Sequence, residues 1–277
     1  MSWFATMFGG ALGWSLGGPL GGLAGAALGS LLDKALEQST TTTKTELCPR
    51  CGRPIPTVLG VDCPACSAER PEPSELARHQ YAFFVATFSL LAKLAKADGV
   101  VTRPELDRIE DFMRRRLQLS REQRALAIAI FEQAKNRAFP VETLARQYLQ
   151  LSAGRRELLY LMLQILFEVA SADGHFHPAE QTLIDEVASI FGVTEQEYRA
   201  LRASFVPQTG GDYALLGLTP EAGERELKAA YRRLAKEHHP DVAMAKGLPP
   251  EFVELAKRRF QDLGAAYERI KQARGLT

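Results

Sequence analysis

No aspartate, glutamate, lysine or arginine occurs before Asp33, so the first 32 residues are a different material from the rest and the chain is modular. A cleaved secretory signal is a poor fit, because a positive run should precede the apolar stretch and the first lysine is Lys34. Cysteine is scarce: four in 277 residues, all between Cys48 and Cys66. That count excludes a secreted disulfide scaffold and points to a reducing compartment. An excess of either charge is also missing, since 34 Lys+Arg against 33 Asp+Glu leaves +1, which argues against nucleic acid as a bulk electrostatic partner. Hydrolase elbow, phosphate loop with its lysine and dinucleotide fingerprint are all absent, so the chain reads as a protein that is not an enzyme. What is present, 46% hydrophobic and 24% charged residues, is ordinary globular composition, enough for about two domains plus appendages.

The uncharged stretch Trp3 to Leu32 would reach about 45 Å as one helix, more than a ~30 Å hydrocarbon core requires. Glycine dilutes its hydrophobicity, and Pro19 predicts a kink near its middle. Gly9, Gly13, Gly17, Gly21, Gly25 and Gly29 recur every fourth residue and draw a small-residue row along which two helices could meet in lipid. A low-complexity tail lying on the membrane is the competing reading. Lys34, Lys44, Arg50 and Arg53 follow the segment, so the positive-inside rule places residues 33–277 in the cytoplasm.

Beyond a polar linker come Cys48-Pro49-Arg50-Cys51 and Cys63-Pro64-Ala65-Cys66. Two such knuckles can supply four thiolates to one structural zinc ion, with Gly52 suiting the knuckle backbone and a short hairpin fitting between Arg53 and Asp62. Two redox CxxC sites are the alternative, though neither pair opens a helix behind a strand.

From Gln80 to Phe205 the apolar spacing is helical, with about seven helices and no convincing strand. Thr102 with Glu105, Ser120 with Gln123 and Thr194 with Glu197 predict capping boxes, and Pro104, Pro140 and Pro178 sit where first turns accept proline. Phe84, Phe88, Leu91, Leu94 and Ala95 form one apolar stripe. Lys96 to Glu105 matches Ser171 to Glu180 at a constant offset, an internal duplication that places carboxylates on either side of each turn: Asp98 with Glu105, and Asp173 with Glu180. These residues resemble the TerB-like fold of tellurite-resistance and stress proteins, and the resemblance implies a divalent ion at the acidic turns. A metal would need both turns to converge, with His175 and His177 as further ligands in principle. Capping by Glu105 and turn amides held by Asp98 and Asp173 explain the same residues without one.

In the last segment one helix carries Leu227, Tyr231, Leu234 and His238 on one face and Arg225, Lys228, Arg232 and Lys236 on another. His239-Pro240-Asp241 follows, then a loop containing Gly247-Leu248-Pro249-Pro250. A second helix follows, with Val253, Ala256, Phe260, Leu263, Tyr267 and Ile270 at steps of three and four, predicting a two-helix hairpin. Together with Asp212-Tyr213, Ala230-Tyr231-Arg232-Arg233-Leu234-Ala235 and Ala266-Tyr267-Glu268, the pattern resembles the J domain of DnaJ co-chaperones. The resemblance implies docking on a DnaK-type chaperone ATPase and stimulation of its ATP hydrolysis. Arg225, Lys228, Arg232 and Lys236 would steer the module to an acidic face, and Asp241 would offer a carboxylate to a partner arginine, with Pro240 limiting the loop and His239 filling the bend.

The order of modules, with the loop Ala245 to Glu251, resembles the DjlA family of membrane-anchored bacterial co-chaperones. The expected architecture is mainly all-α. It runs from a Gly-rich transmembrane segment (1–38) and polar linker (39–47) to a small zinc ribbon (48–66) and a second linker (67–78). A seven-helix TerB-like domain (79–205), a linker (206–211) and the J-domain hairpin (212–277) complete it. The resemblance implies a single-pass inner-membrane protein that dimerises through its membrane segment. The cysteine module departs from that family. A metal-responsive stress scaffold, in which the J helices only dock proteins, is the other function carried forward; a zinc-ribbon nucleic-acid binder is weaker.

Overall fold

The structure, a computed structural model, describes residues 17–38, 45–47, 54–56, 74–97, 99, 101, 103–172, 176–203, 205, 211–237, 239–245 and 247–276. Local signals place most helix starts. Ser74 caps α2 (Glu75–Leu94), its hydroxyl accepting from the Ala77 amide at 3.2 Å. The helix α1 (Gly18–Gln38) precedes it, and α3 (Arg103–Asp111) runs into a π turn at Phe112–Arg116. At α4 (Arg121–Asn136) the expected capping box is complete: Ser120 Oγ accepts from Gln123 N at 3.2 Å, and Gln123 Oε1 accepts from Ser120 N at 2.8 Å. The helices α5 (Val141–Leu151), α6 (Arg156–Ala170) and α7 (Pro178–Ile190) follow. At α8 (Glu195–Ala203) the second expected box closes, with Glu197 Oε2 accepting from Thr194 N at 2.9 Å. Thr102 and the Glu105 side chain lie outside the described residues.

The helix α2 is the axis of the central domain. Tyr81, Phe83, Phe84, Val85, Phe88, Leu90 and Leu91 are all buried, so the helix is covered on every side instead of along the single stripe expected. The helices α4, α5 and α6 pack on it, and so does α1. This last contact explains the difference: Leu20, Leu23, Ala24 and Ala27 of α1 are fully buried in the same core. Buried hydroxyls in α2 are satisfied within the helix, Thr87 bonding the Phe83 carbonyl at 2.8 Å and Ser89 that of Val85 at 2.7 Å.

Pro19 does not kink a long helix. Gly17 and Gly18 take φ of +58° and +55°, and Pro19 sits in the first turn of α1, where its missing N–H is no loss. The tripeptide Gly17-Gly18-Pro19 is therefore a helix start, not a kink inside the helix expected from Trp3 to Leu32. Among the described residues no helix is long and apolar enough to cross a membrane.

Two short strands, β1 (Thr45–Leu47) and β2 (Pro54–Pro56), pair antiparallel with Glu46 opposite Ile55. In sequence the two strands flank Cys48 to Cys51. Of the stretch expected to form a hairpin between the two cysteine pairs, the structure describes Pro54–Pro56, which pairs backwards onto β1.

The carboxy-terminal module comprises α9 (Gly211–Leu215), α10 (Glu224–Glu237), α11 (Pro240–Ala245) and α12 (Pro250–Ala273). Its own core is small: Leu216, Leu227, Leu263 and Ile270, flanked by Tyr213, Tyr231, Leu234 and Tyr267. The expected stripe on α12 divides. Leu263, Tyr267 and Ile270 serve this core, whereas Val253 and Ala256 belong to the core of the central domain.

Candidate functional site

The site is a bend between α10 and α12. The rings of Tyr231 and Tyr267 stack at 4.2 Å between centroids, fixing the two helices against each other. At the bend, the His239 ring stands edge-on to Phe260 at 5.5 Å, so it fills the corner as expected. His239 Nδ1 also accepts from the Asp241 amide at 3.2 Å, which sets the direction of the next turn. Pro240 is the first residue of α11, a short helix where a loop was expected; a proline is preorganised for that position. Asp241 follows with its side chain 77% exposed, and the Oδ2 atom is 3.8 Å from His239 Nδ1. The corner thus presents an accessible carboxylate.

Beside it, α10 carries the basic residues. Arg225, Arg232 and Lys236 are exposed. Lys228 is already engaged: Glu224, one turn earlier, pairs with it and raises its pKa by hydrogen bonding and charge, so three of the four expected cations keep a face clear of that pairing. The module is tied together by residues the sequence reading did not single out. Arg269 donates to both carboxylate oxygens of Asp212 at 2.9 and 2.6 Å, and these bonds hold the Asp212 carboxyl below its ordinary pKa. Arg274 donates to Tyr213 Oη, Ala222 O and Pro220 O, each at 2.6 Å. Arginines near the end of α12 were the available signal, but their partners lie far back in the chain.

The acidic turns do not assemble a metal site among the described residues. Asp98, Asp173 and His175 lie outside them, as does the side chain of Glu105. Glu180 is buried and occupied: it accepts from His177 N at 3.2 Å, closing a box in which His177 Nδ1 accepts from Ala179 N at 3.3 Å. Its other oxygen lies 4.0 Å from Arg108. Glu180 and His177 are thus capping residues of α7. Cys48, Cys51, Cys63 and Cys66 lie outside the described residues, as do Gly9 and Gly13. Of the remaining glycines, Gly21 is buried in the core, while at Gly25 and Gly29 a Cβ would meet open space. Gln147 of α5 grips the start of α1, accepting from Leu20 N and donating to Gly17 O, both at 2.7 Å.

A cleft of about 780 Å³ runs between α8, at Gln196, Glu197 and Arg199, and the turn Gly217-Leu218-Thr219 of the carboxy-terminal module. Glu197 is strongly held there. Burial opposes its charge, but hydrogen bonds from Thr194, Tyr160 and Arg156 outweigh it and draw its pKa down to about 2.

Comparison with known proteins agrees with this arrangement. Residues 84–203 match the family model of the tellurite resistance protein TerB, residues 212–274 that of the DnaJ domain, and residues 1–39 that of the co-chaperone DjlA transmembrane domain. The co-chaperone protein DjlA of Shewanella oneidensis is 35% identical, over 70% of this chain and 79% of its own length. Its counterparts in Aliivibrio fischeri and Vibrio cholerae are 33% and 34% identical, each over 72% of this chain and 81% of their own. No solved structure matches the chain. With TerB-like, J and amino-terminal membrane regions in this order, the chain belongs to the DjlA family of membrane-anchored J-domain co-chaperones.

Proposed function

We propose that the chain recruits a DnaK-type chaperone to the membrane surface and stimulates its ATP hydrolysis, without catalytic chemistry of its own. The observation that carries this reading is Asp241: a carboxylate exposed at the corner where His239 packs edge-on against Phe260, next to the cations of α10. Arg225, Arg232 and Lys236 steer an acidic partner face by long-range attraction, and Asp241 then accepts hydrogen bonds from a partner arginine. Tethering raises the local concentration of activated chaperone near membrane clients. The inner membrane is the compartment this reading favours, with α1 and the domains packed on it on the cytoplasmic side, because every early cation follows the uncharged segment. Pairing of two copies through Gly25 and Gly29 is consistent with the open space beside both.

Two further parts belong to the proposal. Cys48, Cys51, Cys63 and Cys66 hold one structural zinc, a reading supported by the β1–β2 pairing that brackets the first knuckle. The zinc and TerB-like modules select clients. A metal-responsive scaffold is the weaker reading, because Glu180 is committed to a helix cap and to Arg108.

The test is the steady-state ATPase of a DnaK-type chaperone with the full chain in lipid nanodiscs. The wild type accelerates hydrolysis and Asp241→Asn abolishes the acceleration. Equal stimulation by both, or none by either, refutes the proposal.

A further inference from the structure

We infer that the J domain is mounted rigidly on the TerB-like domain through the first half of α12, so that one helix serves two hydrophobic cores. The division is sharp along the chain. Phe252 is fully buried, with its ring 4.7 Å from that of Phe83 and 6.4 Å from that of Phe84, both on α2. Val253, Leu255 and Ala256 join the same core, and Leu248 enters it just before the helix begins. None of these belongs to the J-domain core, to which α12 first contributes at Leu263. Phe252 is thus a J-domain residue whose packing partners are those of another module.

The turn leading into α12 is shaped for this contact. Gly247 has φ of +80°, and a Cβ there would come within 2.9 Å of Leu76 Cδ1 at the start of α2. The backbone angle is what calls for glycine, since the half-exposed Leu76 side chain could move aside. The carbonyl of Leu248 then accepts from Gln80 Nε2 at 3.2 Å. Polar contacts close the rim. Gln123 Nε2 donates to Glu251, and Arg258 donates to the Arg115 carbonyl in the π turn at 3.1 Å. The guanidinium of Arg259 lies 4.2 Å over the Phe205 ring. The run Gly247-Leu248-Pro249-Pro250, which resembles a family feature in sequence, is therefore the docking element.

A consequence concerns direction. The His239 corner leans on Phe260, one turn beyond the docked stretch of the same helix. Whatever approaches Asp241 meets it at an angle set by the TerB-like domain. The inference deepens the co-chaperone reading but is tested without an ATPase.

Amide hydrogen exchange of the full chain in nanodiscs provides the test. In the wild type, amides 252–257 exchange as slowly as those in the middle of α2, because opening them requires opening the TerB-like core. In Phe252→Ala, exchange over 252–257 rises about tenfold or more while 263–273 keeps its protection. Wild-type exchange in 252–257 as fast as on the exposed face of α10 overturns the inference, and so does Phe252→Ala exchange equal to wild type. Should Phe252→Ala fail to fold, Arg258→Ala with Arg259→Ala loosens only the rim; faster exchange confined to 250–259 supports the mount, and no change overturns it. Asp241→Asn keeps wild-type protection here, so failure of the mount and failure of the co-chaperone reading are read separately.

Discussion

Glu197 shows how much one side chain can organise. It caps α8 through Thr194, pairs with Arg156 of α6 at 2.6 Å and lines the cleft facing the J domain. Its pKa falls from 4.5 in the unfolded chain to about 2 in the folded one. A depressed carboxylate stabilises the fold fully above the unfolded value, and that contribution fades as pH drops from about 4.5 toward 2. The group is 29% exposed, so solvent screening reduces the effect to the order of 1 kcal/mol. Glu197→Gln should therefore unfold at lower urea than wild type at pH 7, and the gap should narrow steadily below pH 4.5. A gap that is independent of pH would contradict this account. The cap at Glu197 was legible because Thr194 stands three residues before it. Glu180 was harder: its capping partner is a histidine, a poor cap by propensity, and Arg108 comes from a distant helix.

The same division between near and far holds for whole elements. Helix existence followed from periodicity, and two of the predicted caps are present atom for atom. Three features did not follow, because each depends on a neighbour remote in sequence. The encirclement of α2 comes from α1, the split of α12 comes from the core around Phe83, and the start of α1 at Gly18 comes from Gln147 together with Gly17, Gly18 and Pro19. At the corner itself, the His239-Pro240-Asp241 run was legible, while the pairing of Lys228 by Glu224 was overlooked although it is an ordinary one-turn contact. The glycines of α1 allow a direct check on self-association. Gly25→Ala finds space for its methyl group and removes a flexible residue from a helix interior, so monomer stability should rise by about 0.5–1 kcal/mol. If Gly25 and Gly29 form the seam between two copies, the double variant Gly25→Ala with Gly29→Leu should nonetheless sediment as a lighter species in detergent. Unchanged sedimentation would remove the glycine row from the dimer proposal.

On the scale of the whole molecule, the modules differ in what holds them. The TerB-like domain has a broad aromatic core; the J domain has a small one and shares a helix with its neighbour. For the cysteine module, zinc is the element proposed to hold it. Chelation should accordingly release about one zinc per chain, as expected for four thiolates around a single ion, and leave stimulation of the partner ATPase intact. Retention of full activity with no zinc in the purified protein would leave the cysteines to redox chemistry instead.

Gln147 holds the entrance of α1 with a single side-chain amide, bonded on both of its polar atoms to the backbone at Gly17 and Leu20. Were the bilayer to pull on the residues before that grip, the load would enter the folded body at this one fastening on α5, and a load strong enough to part it would begin peeling Leu20 and Leu23 out of the aromatic interior before straining the corner that bears Asp241.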